Sequence, residues 1–254
     1  MNKLSPIGVF DSGIGGMTVL DTLVKKLPNE EFIYIGDEKY FPYGEKSNEV
    51  LKKRVEIIIN KFNELGCKAI VIACNTASSI FVNFKVESKV PVFEIVEPTA
   101  LVAKNATKNG RVAVWATDST IEQGRYQEEL KEVVNYPIKA SPLVKLIENG
   151  LINTPECDKL LDELLLKAAD ADTLILGCTH FPFVKNEVLA KKKLNIVCSD
   201  EAISEKLNEY LKNNDLLNTV NGNVALFTTK ETDNFKVTYE KYHFNIKEVG
   251  VLDI

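Results

Sequence analysis

A chain of 254 residues, 45% hydrophobic and 26% charged, can bury one large core or two lobes and has the make-up of an ordinary globular protein. With 31 Lys and Arg against 36 Asp and Glu, a net charge of −5 and no long basic block, it lacks the electrostatic footprint of a nucleic-acid binder, and small molecules are the expected partners. No apolar run reaches transmembrane length, and Met1-Asn-Lys-Leu-Ser-Pro-Ile-Gly8 runs straight into a strand without a charged-then-apolar leader, so a cytoplasmic location away from membranes is expected.

Short Ile- and Val-rich runs at 7–10, 31–35, 69–73, 90–95, 111–116 and 173–176 read as buried parallel strands. Between them lie amphipathic stretches. Leu51, Val55, Ile58, Ile59, Phe62 and Leu65 recur at three- and four-residue spacing before Gly66, which predicts a helix with a glycine stop. The pattern predicts an α/β fold with mainly parallel sheets flanked by helices. No Pro-, Gly- or Ser-rich linker divides the chain. One division is expected near Glu97-Pro98 and another near Leu207, because 223–228 reads as a strand whose partners lie in the first half. The expected lobes are 1–97 plus 208–254, and 98–207.

An internal echo supports two facing halves. Ile70-Val-Ile-Ala-Cys-Asn-Thr76 and Leu174-Ile-Leu-Gly-Cys-Thr-His180 share a plan of apolar strand, small residue, cysteine and polar pair. In open α/β sheets ligands collect beyond the carboxyl ends of the strands, where both cysteines would sit.

Five cysteines, an odd number without a dense framework, fit free thiols in a reducing compartment. Cys67, Cys157 and Cys198 read as small buried hydrophobes. Cys74 and Cys178 differ, because Asn75-Thr76 and Thr179-His180 follow them with groups able to bind a polar ligand or support a thiolate. A metal held by Cys74, Cys178 and His180 is the competing reading, but no Cys-x-x-Cys pair or second nearby His completes a zinc shell, and no metal is expected. Asp11, at a strand end before Ser12, could assist a base or bind an ammonium, or could simply cap a helix. Gly13, Gly15 and Gly16 do not form a dinucleotide or phosphate-loop pattern. The Pro- and Gly-containing loop 36–44 could hold a carboxylate on backbone amides near Tyr43 and Gly44. Of the two histidines only His180 lies near a candidate nucleophile; His243 falls in a polar C-terminal stretch, and Trp115 reads as core or cleft wall.

The segments Asp11-Ser12-Gly13, Pro42-Tyr43-Gly44, Ala73-Cys74-Asn75-Thr76-Ala77, Glu97-Pro98, Thr117 to Thr120, Glu148-Asn149-Gly150 and Leu176-Gly-Cys-Thr-His-Phe-Pro182 together resemble the glutamate racemase family, in the superfamily that also holds aspartate racemases. The resemblance spans nearly the whole chain, and it implies two similar α/β lobes with the active site in the inter-lobe cleft. It implies cofactor-independent inversion of glutamate, supply of D-glutamate for peptidoglycan, and a homodimer as the usual assembly. It also implies catalytic roles for Cys74 assisted by Asp11, and for Cys178 assisted by His180 and Glu148. Substrate contacts are implied for Asp11, Ser12, Pro42, Tyr43, Gly44, Asn75, Thr76, Thr117, Thr120, Thr179 and His180.

Several positions depart from the family pattern. Glu38 stands where a small residue is usual, followed by bulky Tyr40 and Phe41. Thr99 and Ala116 replace glycines, Ser141 replaces a cysteine, and the stretch from Pro142 to Glu148 is shortened. None of these removes a catalytic group. Within the fold, a racemase of aspartate or of broader scope is the nearest alternative; a decarboxylase would need only one of the cysteines. From another class, a catalytically silent carboxylate-binding protein is the rival, and binding of glutamate without turnover would identify it.

Overall fold

In the computed structural model, which describes residues 2–254, the chain builds two parallel sheets. The strands, in chain order, are β1 (Ile7–Asp11), β2 (Phe32–Gly36), β3 (Ala69–Ile72), β4 (Val92–Glu94), β5 (Arg111–Ala116), β6 (Val134–Lys139), β7 (Thr173–Gly177), β8 (Asn195–Val197), β9 (Val224–Thr228) and β10 (Ile246–Val251). The helices are α1 (Met17–Lys26), α2 (Asn48–Glu64), α3 (Asn75–Asn83), α4 (Val96–Ala106), α5 (Asp118–Gln123), α6 (Arg125–Glu129), α7 (Ser141–Glu148), α8 (Pro155–Lys167), α9 (Lys185–Lys191), α10 (Ser199–Asn213) and α11 (Asp233–Tyr239). One sheet has six strands in the order β10-β9-β2-β1-β3-β4, the other four in the order β6-β5-β7-β8. Every pairing is parallel.

Side chains alternate across a strand, so a sheet covered on both faces needs apolar residues at every position. In β3, Ala69 and Val71 enter one apolar cluster while Ile70 and Ile72 enter the cluster on the opposite face. In β5, Ala113 and Trp115 face one cluster and Val112, Val114 and Ala116 the other. Trp115 is therefore core. The first-half strands and β9 share one sheet, so the pairing expected for 223–228 is present.

Three strands lie outside the apolar runs that mark strands in the sequence: β6, β8 and β10. All are edge strands, and edges need less apolar content. β6 carries Pro137 and buries only Ile138, β10 has no buried residue, and β8 is only three residues long. β4 is shorter than the expected 90–95, since Ile95 already caps α4.

The predicted helix is α2. Ser47 caps it by accepting the Val50 N–H, its buried stripe is Leu51, Val55, Ile58, Ile59 and Phe62, and Gly66 beyond its end has φ +71°, a conformation that suits glycine. Helix α4 contributes Val96, Ala100 and Ala103 to the second sheet's core, and α10 contributes Ile203, Leu207 and Leu211 to the first sheet's. Among the described residues, no helix is long and apolar enough to cross a membrane.

Candidate active site

Strand ends from both sheets meet at one pocket. β1 ends in Asp11 and leads into Ser12. β3 leads through Ala73 to Cys74, the cap residue of α3. β5 leads to Thr117, whose hydroxyl caps α5 by accepting the Thr120 N–H. β7 leads to Cys178, Thr179 and His180. Ser12, Cys74, Asn75, Thr76, Thr117, Cys178, Thr179 and His180 all line the pocket, with Pro42, Tyr43 and Gly44 from the loop after β2. The cavity measures about 40 Å³, space for a few waters.

The remaining expected residues stand behind this lining. Asp11 accepts the Thr179 hydroxyl across the lobes at 3.3 Å and the Gly13 N–H at 3.0 Å; Gly16 is the cap residue of α1 and no side chain caps that helix, so Asp11 bonds the turn before it instead of capping it. Thr120 completes a triangle of hydroxyls with Thr76 and Thr117, at 2.9, 3.0 and 2.8 Å on its three sides. Glu148, the last residue of α7, places Oε1 2.5 Å from His180 Nε2, so the shortened stretch after Pro142 still delivers it to the histidine.

Each cysteine has its own polar partner. The Cys74 thiol reaches Ser12 Oγ at 3.7 Å, and Cys178 Sγ lies 3.8 Å from His180 Nδ1. Burial pushes the Cys74 thiol up to about 12, with the Asp11 charge adding to it, which keeps it a thiol. Burial also raises Asp11, against the counter-pull of His180 and of the backbone N–H groups of Gly13 and Gly16. For His180 burial opposes the charged form, yet the bonds to Cys178 and Glu148 outweigh it and hold the imidazole pKa well above its ordinary value. Cys67 and Cys157 are core residues and Cys198 is partly buried; none forms a disulfide. His243 is exposed. Among the described residues no three His, Cys, Asp or Glu side chains gather as a metal site.

The bulky loop residues have identifiable partners. Asp37, fully buried, accepts Arg54 Nε and Nη2 at 2.9 Å each, the Tyr43 hydroxyl at 2.6 Å and the Thr229 hydroxyl at 2.7 Å. That bidentate ion pair anchors the Pro42-Tyr43-Gly44 wall. The Arg54 guanidinium lies 4.1 Å from the Tyr40 ring centroid, and the Phe41 ring packs 5.7 Å from the His180 ring. Gly15 makes room for the second lobe: a Cβ there would lie 2.4 Å from Thr179 Oγ1 and 2.8 Å from the His180 ring.

Sequence reasoning missed part of the lining. Glu45, Ser141, Val144 and Lys145 also face the pocket. Glu45 and Lys145 pair at 2.8 Å across the lobes, and Ser141 donates to Asp118 Oδ1 at 2.7 Å while accepting the Asp118 N–H at 2.8 Å. No local signal links residues so far apart in the chain. Ser141 alone was visible, as a departure from the family pattern.

The pocket thus lies between two parallel sheets flanked by helices, with one buried cysteine presented from each sheet. Comparison with known proteins identifies the family. The Asp/Glu/Hydantoin racemase family matches residues 7–206. The glutamate racemase of Thermoanaerobacter sp. (strain X514) is 40% identical over 246 residues, 93% of this chain and 92% of that protein. Among solved structures, a glutamate racemase from Bacillus anthracis superposes with a TM-score of 0.91 at 30% identity, over 100% of this chain and 99% of that one. A glutamate racemase from Francisella tularensis in complex with D-glutamate gives 0.91 at 29% identity, over 99% and 98%. The chain belongs to the Asp/Glu/hydantoin racemase family, among its glutamate racemases, and is an isomerase.

Proposed function

We propose that this racemase interconverts L- and D-glutamate without a cofactor, by a two-base transfer in which Cys74 and Cys178 serve opposite faces of the α-carbon. The observation that carries this reading is the pair of buried cysteines lining one closed pocket from different lobes, each beside its own polar partner. Inverting a stereocentre requires removing a proton from one face and returning one to the other, and two fixed groups do this without a base that swings around the planar intermediate.

One sulphur must be thiolate while the other is thiol. His180, held protonated by Glu148, stabilises negative charge on Cys178. Cys74, kept a thiol by burial, is ready to deliver its proton, and Asp11, whose charge acts on it from behind the lining, assists that exchange. As the α-proton leaves, charge spreads into the α-carboxylate. Hydroxyl and amide donors of Ser12, Asn75, Thr76, Thr117 and Thr179, with the backbone of Pro42-Tyr43-Gly44, would bind the carboxylates and stabilise that charge, while Thr120 holds the Thr76 and Thr117 hydroxyls from behind. Closure excludes water that would otherwise quench the carbanion, and the small cavity means the lobes must part to admit glutamate. We take the lobes as 1–97 plus 208–254 and 98–207, the active unit as a homodimer, and the setting as the cytoplasmic supply of D-glutamate for peptidoglycan.

The test is to incubate the purified protein with L-glutamate in deuterated water without added cofactor, following optical rotation and α-proton loss together. Racemisation with deuterium uptake is expected, and aspartate in the same assay should remain unchanged. A folded protein with reduced thiols that exchanges neither amino acid would refute the reading in favour of a carboxylate-binding protein.

A further inference from the structure

Asn75 is 3% exposed and lines the pocket, yet its Nδ2 group has no hydrogen-bond partner. Buried amide groups are almost always paired, and one left open in a pocket marks a place where a ligand completes the bonding. The other end of the same amide is taken: Oδ1 accepts the Tyr126 hydroxyl at 2.7 Å. Tyr126 is itself fully buried, on α6 in the core of the second sheet. Its ring has little freedom, since a Cβ on Gly177, the residue before Cys178, would already lie 3.0 Å from Tyr126 Cε2.

A tyrosine hydroxyl has one proton to give, and here it goes to the amide oxygen. Rotating the Asn75 amide would break that bond and turn an oxygen, rather than an NH₂ group, toward an incoming carboxylate. We propose that Tyr126 is a positioning residue for racemisation, whose hydroxyl fixes Asn75 so that its NH₂ group is presented to a carboxylate of glutamate. This rests on reading Asn75 as a substrate ligand. Asn75 opens α3 and Tyr126 lies on α6, so the amide's orientation is set by a contact between elements packed on different sheets.

A double-mutant cycle separates the two ideas. Tyr126→Phe keeps the ring and removes the hydroxyl; KM for both enantiomers should rise about five- to tenfold with kcat much less affected. Asn75→Ala should raise KM at least as much, and Tyr126→Phe/Asn75→Ala should match Asn75→Ala alone. An unchanged KM in Tyr126→Phe, or losses that multiply in the double variant, would overturn the inference. An unchanged KM in Asn75→Ala would instead remove Asn75 from the substrate site. In the wild-type enzyme, the Asn75 side-chain amide protons should shift downfield on addition of D-glutamate, and their failure to move would likewise contradict the proposal.

Discussion

Replacing Glu148 by Gln removes a charge while keeping the shape of the side chain. His180 Nε2 lies 2.5 Å from Glu148 Oε1, with side-chain exposures of 3% and 17%. Burial alone would strip the imidazole of its proton, and the bonds to Cys178 and to this carboxylate reverse that outcome. A hydrogen bond to a charged group is worth about 1.5–3 kcal/mol, which at about 1.4 kcal/mol per decade is roughly a 10- to 150-fold loss in kcat/KM if the imidazolium supports Cys178. The substrates are mirror images with an equilibrium constant of one, so polarimetry from either enantiomer must give the same loss in kcat/KM. The profile should also move: His180 gives up its proton at lower pH in Glu148→Gln, and the alkaline fall in activity follows it down. Stability obeys the same sign. A folded pKa above the unfolded one stabilises fully below about 6.5 and is lost as pH rises through the raised value, so the Tm deficit of the variant should be widest on the acid side. A folded Glu148→Gln protein with nearly unchanged kcat/KM and the same pH profile would refute this reasoning.

Burial first, and then the charges of Glu148 and Asp11, push the Glu38 carboxyl up from 4.5 to about 7, with His180 pulling the other way. Its favourable contribution is full below about 4.5 and lost as pH rises through about 7, so Glu38→Gln should be more stable than wild type at alkaline pH by up to about 3 kcal/mol. Urea denaturation at acid and alkaline pH checks this; a gain that does not depend on pH would count against it. Arg54→Met strands the buried Asp37 carboxylate with only two hydroxyl donors, at a loss of about 3–5 kcal/mol, and Asp37→Asn/Arg54→Met should recover part of it. Denaturation midpoints for the two variants test that, and a single-variant loss below about 1 kcal/mol would contradict the anchor.

The interior of the fold was readable because strands buried on both faces leave continuous apolar runs, and β1, β3, β5 and β7 are of that kind. The edge strands were not, since β6 and β10 together bury a single residue, Ile138. The candidate site was legible where chemistry is local, as in Cys74-Asn75-Thr76 and Cys178-Thr179-His180, each directly after a strand. Pairings between distant segments left no trace: Tyr126 meets Asn75 from 51 residues away, and the Glu45–Lys145 pair crosses the lobes. Some departures from the family pattern became intelligible only in three dimensions. Tyr40 covers Arg54, Phe41 packs on His180, Ser141 is bound to Asp118, and Thr99 is buried in α4 with its hydroxyl donated to the Ile95 carbonyl at 2.5 Å. For Ala116 in place of glycine the structure gives only its burial in the second sheet's core.

The central claim is that Cys74 and Cys178 each serve one face of the substrate. The most direct measurement is solvent deuterium uptake at the α-carbon, from L- and D-glutamate separately, in Cys74→Ser and Cys178→Ser variants whose folding has been verified. Both variants should lose racemisation, each retaining exchange with one enantiomer far better than with the other, and the two biases should be opposite. Equal loss of exchange from both enantiomers in each variant would contradict a separate base on each face.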